Sequence, residues 1–281
     1  MIKNTTYRGL FLVFLLVGLS ACSTTVIYNN LNWLTYWYLD DYVNLTEEQE
    51  SEFDADLITF LEWHRGVELQ NYLTHIMLIQ GDINNGLDQT DIASYLNAIQ
   101  GYWQKLLIRS EPGLVRLAYS LNDQQIAMFL AASEEKNRER VAKYEALSEQ
   151  QRLADRFEKI EKRVEGFIGK LTPVQRELLN TTNVQLQPTF YDWIQFRRTW
   201  AHSVSEAYAR RQDQSAFEQS LTDSILRTDA FRSQQYLDKI DHNEQLWIVT
   251  LTALINSLNE QQRKTLNKEL DTIKAELEGL L

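Results

Sequence analysis

The sequence predicts an all-α fold, an elongated multi-helix bundle, on three observations. Glycine and proline are scarce: the chain has 10 Gly and 3 Pro among 281 residues, which is about 5% where average usage is roughly 12%. Folds built on strands need more turns than these residues supply. A short helix-start motif recurs along the chain, and a long charged stretch carries an apolar seam at helical spacing. The 44% hydrophobic content is typical of a globular chain with a sizeable core.

The first element is a signal peptide, predicted over residues 1–21. Lys3 and Arg8 precede an apolar run that ends at Leu19. This run has the length of a signal-peptide core, whereas a bilayer span needs roughly 20 apolar residues. The run continues as Leu19-Ser20-Ala21-Cys22, which resembles the lipobox of bacterial lipoproteins.

The lipobox resemblance implies that Cys22 becomes the mature N-terminus, with diacylglycerol on its sulfur and an acyl chain such as palmitate on its nitrogen. Several acyl chains anchor a protein stably, while one chain holds only marginally. In such lipoproteins a residue other than Asp at the next position, here Ser23, implies sorting to the outer membrane. The predicted location is therefore the outer membrane, facing the periplasm. The alternative is an ordinary cleaved signal peptide with an incidental cysteine.

Charge and cysteine content exclude some classes of function. The formal net charge is −11, from 28 basic and 39 acidic residues, and loss of Lys3 and Arg8 makes it −13 (26 against 39). This excess of acid argues against nucleic-acid binding, which needs a cationic surface. Cys22 is the only cysteine. If it carries lipid, the mature chain has no disulfide, thiolate nucleophile or cysteine metal site.

Residues 22–42 are predicted to form the lipidated N-terminus and an aromatic helix. Six of the 15 residues from Tyr28 to Tyr42 are aromatic. We favour a helix docked on the core, because Asn29, Asn30, Asn32 and Thr35 supply a polar opposite side. The alternative places Trp33 and Trp37 at the level of lipid headgroups, as in membrane aromatic belts.

The helix-start motif is a Leu, a capping residue, two spacers and a Gln. A cap side chain accepts a bond from a free backbone amide, and a Gln three residues later reaches back to the cap, as in a capping box. The motif predicts five helix starts, with caps at Thr46, Asn122, Ser148, Thr172 and Asn259.

The spacing of the copies suggests two related helical halves, 43–168 and 169–281. The first two copies begin 76 residues apart and the last two 87 apart (Leu45 to Leu121, Leu171 to Leu258). The alternative is that capping boxes are common and the symmetry is chance. The first half contains long charged helices with an apolar seam, and breaks are predicted near 81–86, 111–113 and 187–188. The seam residues are Leu153, Phe157, Ile160, Val164 and Phe167.

The repeated Leu-Thr-x-x-Gln element resembles the motif of Spy-like periplasmic chaperones, small all-helical proteins that hold non-native clients without ATP. Over the whole chain, the lipobox, residues 28–33, residues 40–46 and Trp63-His64-Arg65 resemble an uncharacterised lipoprotein family of Gram-negative bacteria. The second resemblance implies architecture and location, and no activity.

Candidate chemistry in the sequence is sparse. Nucleotide-binding loops and the G-x-S-x-G elbow are absent from the sequence. His64 with Glu68 and His202 with Glu206 stand four residues apart on predicted helices. This spacing suits a metal site in a bundle, although a surface ion pair or a satisfied buried histidine is the more frequent outcome. Two further pairs are candidate stacked pairs or binding residues, namely Trp63 with Arg65 and Trp193 with Arg197.

The function expected from these features is non-catalytic binding or scaffolding, with no cofactor beyond the lipid on Cys22. The expected partners are the membrane and envelope proteins, and the most concrete version is a chaperone-like holdase. Two alternatives stay open. One is a metal-dependent enzyme with a site on the bundle helices, and the other is a tethering or assembly component of an envelope complex.

Overall fold

The computed structural model describes residues 28–281, and within that range the chain is helical and contains no strand. The predicted all-α multi-helix fold is therefore confirmed. The predicted signal peptide, Cys22 and Ser23 lie outside the described residues. The helices are α1 (Leu31–Leu39), α2 (Glu47–Trp63), a π-helical turn (His64–Glu68), α3 (Leu69–Asn85), α4 (Gln89–Ser120), α5 (Asp123–Glu145), α6 (Glu149–Ile168), α7 (Pro173–Gln185), α8 (Phe190–Ala209), α9 (Gln214–Leu226), a 3-10 turn (Thr228–Phe231), α10 (Gln234–Asn256) and α11 (Glu260–Glu278).

Each of the five repeated motifs forms a reciprocal capping box. The cap side chain accepts from the backbone N–H of the Gln, and the Gln side chain accepts from the backbone N–H of the cap. Pro173 occupies the first turn of α7, where its missing N–H costs nothing. A further capping box at the start of α4 uses Asp88 and Asp91, a pair that the Leu-cap-x-x-Gln pattern does not cover.

Four of the five motif glutamines also bond to each other in two reciprocal pairs. Gln49 and Gln125 each donate from Nε2 to the other's Oε1, at 3.2 and 2.7 Å. Gln175 and Gln262 do the same, at 3.0 and 2.8 Å. The same arrangement therefore occurs once in residues 43–168 and once in residues 169–281. Each pair joins the first turns of two helices whose starts are far apart in sequence.

Both glutamine pairs are buried, and each pair also donates to backbone carbonyls. Gln262 donates to the carbonyl of Lys170, 3.0 Å away, and Gln125 donates to that of Asn44, 2.8 Å away. Gln175 is 1% exposed and Gln262 is 3% exposed. The glutamine of the middle motif, Gln151, is exposed and makes only its local capping bonds.

The principal apolar core takes residues from both predicted halves. It contains Ile83 and Leu96 from α3 and α4 together with Leu179 and Ile248 from α7 and α10. Helix α11 packs against both α3 and α6, and α10 packs against α4 and α7. Four of the five predicted seam residues of α6, all but Leu153, pack against this core. The arrangement within residues 28–281 is therefore one interlocked bundle.

Two of the predicted breaks coincide with ends of helices and one does not. Gly86, with φ of +91°, ends α3, and the chain between α7 and α8 contains 187–188. The break predicted at 111–113 was wrong, because Pro112 lies inside the 32-residue helix α4. The interior proline costs about 3 kcal/mol, and we attribute its tolerance to the packing of α4 against α2, α9 and α10. Beside it, a Cβ on Gly113 would lie 3.0 Å from Asp56 of α2, so glycine permits the close approach of the two helices.

Among residues 28–281, none of the helices has the length and apolar character that crossing a membrane requires.

Candidate functional site

Helix α1 is held against α2 at both of its ends. The Tyr36 hydroxyl lies 3.0 Å from the carbonyl of Glu50 and 2.9 Å from Asp54 Oδ1. Before α1 begins, the Tyr28 hydroxyl is 2.8 Å from His64 Nδ1, and Arg65 donates to Asn29 Oδ1 at 3.1 Å. These bonds make α1 antiparallel to α2 and fix which side of α1 faces outward.

The outward side of α1 is aromatic. Trp33 is 64% exposed and Trp37 is 63% exposed, and their four-residue spacing places both indoles on one edge of the helix. Tyr38 beside them is also exposed. The sequence predicts Asn29, Asn30, Asn32 and Thr35 on a polar side opposite the docked face. Asn29 and Asn30 are exposed, but Asn32 and Thr35 are half-buried. Helix α1 thus docks through part of its surface and presents its two tryptophans to the surroundings.

The π-helical turn between α2 and α3 carries a polar and aromatic cluster. His64 stands between two tyrosines, with Tyr28 Oη 2.8 Å from Nδ1 and Tyr72 Oη 3.4 Å from Nε2. A neutral imidazole has one donor and one acceptor nitrogen. In His64 each of these two nitrogens has a tyrosine hydroxyl as its partner. Such π-turns inside α-helices occur frequently at functional sites.

Burial lowers the pKa of His64 to about 4, because the low-dielectric surroundings disfavour the charged ring. The ring is flanked by Phe60, Trp63 and Tyr72. Burial also raises the pKa of the Tyr72 hydroxyl, with a further contribution from Glu68. At neutral pH, His64 is therefore an uncharged hydrogen-bonding residue.

A second histidine, His75, and an almost fully buried Glu68 extend the cluster. Glu68 Oε1 accepts from Asn71 at 3.3 Å and lies 3.8 Å from Lys105 Nζ. Tyr102 Oη is 3.4 Å from His75 Nδ1, and burial lowers the pKa of His75. Within the described residues, Glu68 Oε2 and His75 Nε2 have no hydrogen-bond partner. The predicted pairing of His64 with Glu68 is not seen; the bonds of Glu68 go to Asn71 and Lys105.

Of the two predicted Trp–Arg stacks, one is present. The Arg197 guanidinium lies 5.2 Å from the Trp193 ring centroid, and Arg140 contributes a second cation at 5.7 Å. Arg197 also donates to the buried Asn137 at 2.6 Å, so the stack joins α8 to α5.

The stack predicted for Trp63 and Arg65 was wrong. Residues two apart point to different sides of a helix, and here the second residue lies in the π-turn. Arg65 stacks on Tyr28 at 5.3 Å, while Trp63 receives Arg109 of α4 at 5.8 Å.

The remaining site residues are dispersed. His202 and Glu206 are both exposed on α8, on a different part of the chain from the π-turn. The described residues contain no group of three or more His, Cys, Asp or Glu side chains arranged to hold a metal ion. Cys22, the predicted lipidation site, lies outside the described residues.

Sequence reasoning missed the tyrosines that complete the cluster, Tyr28, Tyr72 and Tyr102, and it missed His75 and Lys105. Their contacts join the start of the described chain, the π-turn, α3 and α4. Tyr72 and His75 stand eight and eleven residues after His64, a spacing that keeps them on one helix face. This spacing could have predicted that Tyr72 and His75 lie near His64. Nothing in the sequence around Tyr28 predicts its contact with His64.

The comparisons with known proteins place the chain in a family without a known activity. The matching family model is DUF6279, a family of unknown function, and it covers residues 41–237, more than two thirds of the chain. No curated protein and no solved structure matches the chain. The matched range contains the π-turn and the Trp193 stack, and it begins after α1.

Proposed function

Since this chain belongs to the DUF6279 family, whose function is unknown, we propose its function from its own residues. It is a non-catalytic binding and scaffolding lipoprotein, anchored by lipid on Cys22 to the periplasmic face of the outer membrane. The observation that carries the binding role is a set of large apolar side chains left exposed on the helices of the first half. They include Ile58, Val67, Met77, Leu78, Ile108 and Leu114. We infer that these exposed apolar side chains contact other proteins.

The most concrete version is a holdase for envelope proteins, in line with the resemblance of the repeated motif to Spy-like chaperones. We expect the mature protein, at stoichiometric ratio, to suppress aggregation of a reduced model client. Met77→Gln with Leu78→Gln should weaken the suppression, because it removes apolar contact area from α3. The matched control is Val174→Gln with Val184→Gln, apolar residues on α7 that are at least as exposed as Met77 and Leu78. Unchanged client aggregation with the parent protein would exclude the holdase version.

The anchor is tested at Cys22. Mass spectrometry of the mature N-terminal peptide is expected to show diacylglycerol and an acyl chain on Cys22. Cys22→Ala should leave an unmodified precursor that keeps residues 1–21, since cleavage in lipoproteins follows lipid attachment. As a matched control, Ser23→Asp should keep the lipid and move the protein to the inner-membrane fraction. A free thiol on a normally cleaved parent chain would show the ordinary signal peptide instead.

Two other functions remain as alternatives. Elemental analysis of protein purified without tags or chelators tests a metal-dependent enzyme that uses His64 or His202. Crosslinking in intact envelopes, followed by identification of the captured proteins, tests a tethering or assembly role. A stable, stoichiometric envelope complex would favour tethering over transient client binding.

A further inference from the structure

We propose that α1 is a membrane-contact helix whose Trp33 and Trp37 enter the headgroup region of a zwitterionic phospholipid surface and fix the orientation of the bundle on it. The proposal takes from the proposed function only the presence of a membrane near Cys22. The contact surface itself is defined by α1.

The outward direction of the two tryptophans follows from the bonds on the opposite side. Tyr36 is held by Glu50 and Asp54, and its ring meets that of Phe53 edge-on with centroids 6.0 Å apart. Leu31 and Leu34 are half-buried. Rotation of α1 to bury the indoles would break these contacts, so the aromatic edge is a fixed surface of the bundle.

The composition of α1 suits the boundary between lipid and water. Its nine residues, Leu31–Leu39, include no charged side chain in a chain of which 24% is charged. All seven tryptophans of the chain lie in the described range, and only Trp33 and Trp37 are exposed. Indoles prefer the headgroup level, where the ring is in apolar surroundings and the N–H reaches water. Both exposed indoles therefore lie on α1, the helix that we propose to contact the membrane.

The position of α1 close to Cys22 in the sequence indicates that a membrane covers its outward side. Tyr28, where the described residues begin, is six residues after Cys22, and six residues span at most about 20 Å when fully extended. A lipid on Cys22 therefore holds α1 close to the bilayer. Soluble partners would have to compete with a surface held at high effective concentration by the anchor.

The negative net charge of the protein favours a zwitterionic membrane over an anionic one. The mature chain carries −13 by sequence, and α1 is followed directly by Asp40 and Asp41, of which Asp41 is paired with Lys136 at 2.6 Å. An anionic membrane would repel this protein, with a repulsion that is strongest at low salt. Contact through neutral aromatic rings is compatible with a zwitterionic surface.

The first experiment uses vesicles of phosphatidylethanolamine and phosphatidylcholine and the unlipidated mature chain, residues 23–281, which retains every residue that the structure describes. We expect it to float with the vesicles, and Trp33→Ala with Trp37→Ala to lower the partition coefficient roughly tenfold or more. The control, Val174→Ala with Val184→Ala, removes exposed apolar groups on α7 and should bind as the parent does. Circular dichroism checks that each variant is folded, which we expect because the replaced side chains are exposed. Equal flotation of the tryptophan variant and the parent, or no flotation of the parent, would overturn the proposal.

The second experiment reconstitutes the lipidated chain in vesicles that contain brominated phosphatidylcholine, which quenches tryptophan fluorescence at short range. Quenching is expected in the parent and the α7 control and is expected to be lost in Trp33→Ala with Trp37→Ala. Adding phosphatidylglycerol should weaken flotation of the unlipidated chain at low salt. If Cys22 carries no lipid but the unlipidated chain floats through its tryptophans, the proposed lipid anchor is rejected and the proposed membrane contact of α1 is supported. If Cys22 is lipidated and no quenching occurs, the lipid anchor is supported and the membrane contact of α1 is rejected.

Discussion

Replacing Gln175 with Ala is expected to lower the free energy of unfolding by about 3 to 4 kcal/mol. The side chain is 1% exposed, and its Nε2 donates to Gln262 and to Ser257. Its removal creates a cavity and leaves Gln262 with an unsatisfied donor in a buried site. It also removes the capping bond to the backbone N–H of Thr172. Chemical denaturation of the purified protein measures the loss.

The middle motif provides the control for this prediction. Gln151→Ala removes the same local capping bond at the start of α6, but Gln151 is exposed. We expect a loss of about 0.5 to 1 kcal/mol there. In a double-mutant cycle, Gln175→Ala and Gln262→Ala should be coupled by about 1 kcal/mol or more. Equal losses at Gln175 and Gln151 would mean that the reciprocal pair adds nothing to stability.

Acidification is expected to destabilise the protein through His64. The pKa of His64 is lowered to about 4 in the folded chain, against roughly 6.5 in an unfolded chain. Between these values the unfolded state binds more protons, so the free energy of unfolding falls as the pH falls from about 6.5 toward 4. Since the ring is only partly shielded from water, we expect about 1 to 2 kcal/mol between pH 7.5 and pH 5.

Comparison with a variant isolates the contribution of His64. His64→Gln removes the titrating ring while keeping a donor and an acceptor, so its unfolding free energy should depend less steeply on pH in this range. His202→Gln replaces an exposed histidine on α8 and controls for the effect of a histidine-to-glutamine substitution as such. The groups that titrate elsewhere are common to all three proteins and cancel in the difference. A His64→Gln profile parallel to that of the parent would contradict the assignment.

The features predicted correctly from the sequence are those with a local cause. A cap and a glutamine three residues later bond to each other whatever the rest of the chain does, which is why the five caps from Thr46 to Asn259 could be identified. The pairing of Gln175 with Gln262 uses the Nε2 of each amide and gives each Oε1 a second bond, so it depends on how α7 and α11 approach each other. Nothing in the motif distinguishes these glutamines from Gln151.

The errors have equally physical causes. The sequence predicts a break at Pro112 because a proline removes one helical hydrogen bond, yet packing on several sides of α4 outweighs a local cost of that size. The stack of Trp63 with Arg65 failed because the π-turn at His64 changes the direction of the side chains that follow it. Of the candidate site, His64 was identified from its spacing, while Tyr28 and Lys105 approach it from elements distant in sequence.

The cluster around His64 also constrains the order in which the protein can fold. Tyr28 and Tyr72 pack there with Leu277 and Leu280, so residues near both ends of the chain form one apolar wall. Closing so long a loop is slow compared with forming a helix. Tyr28, Leu69 and Tyr72 therefore gain their contacts with Leu277 and Leu280 only after distant parts of the chain have come together. We expect this cluster to be completed late in folding, after the individual helices have formed.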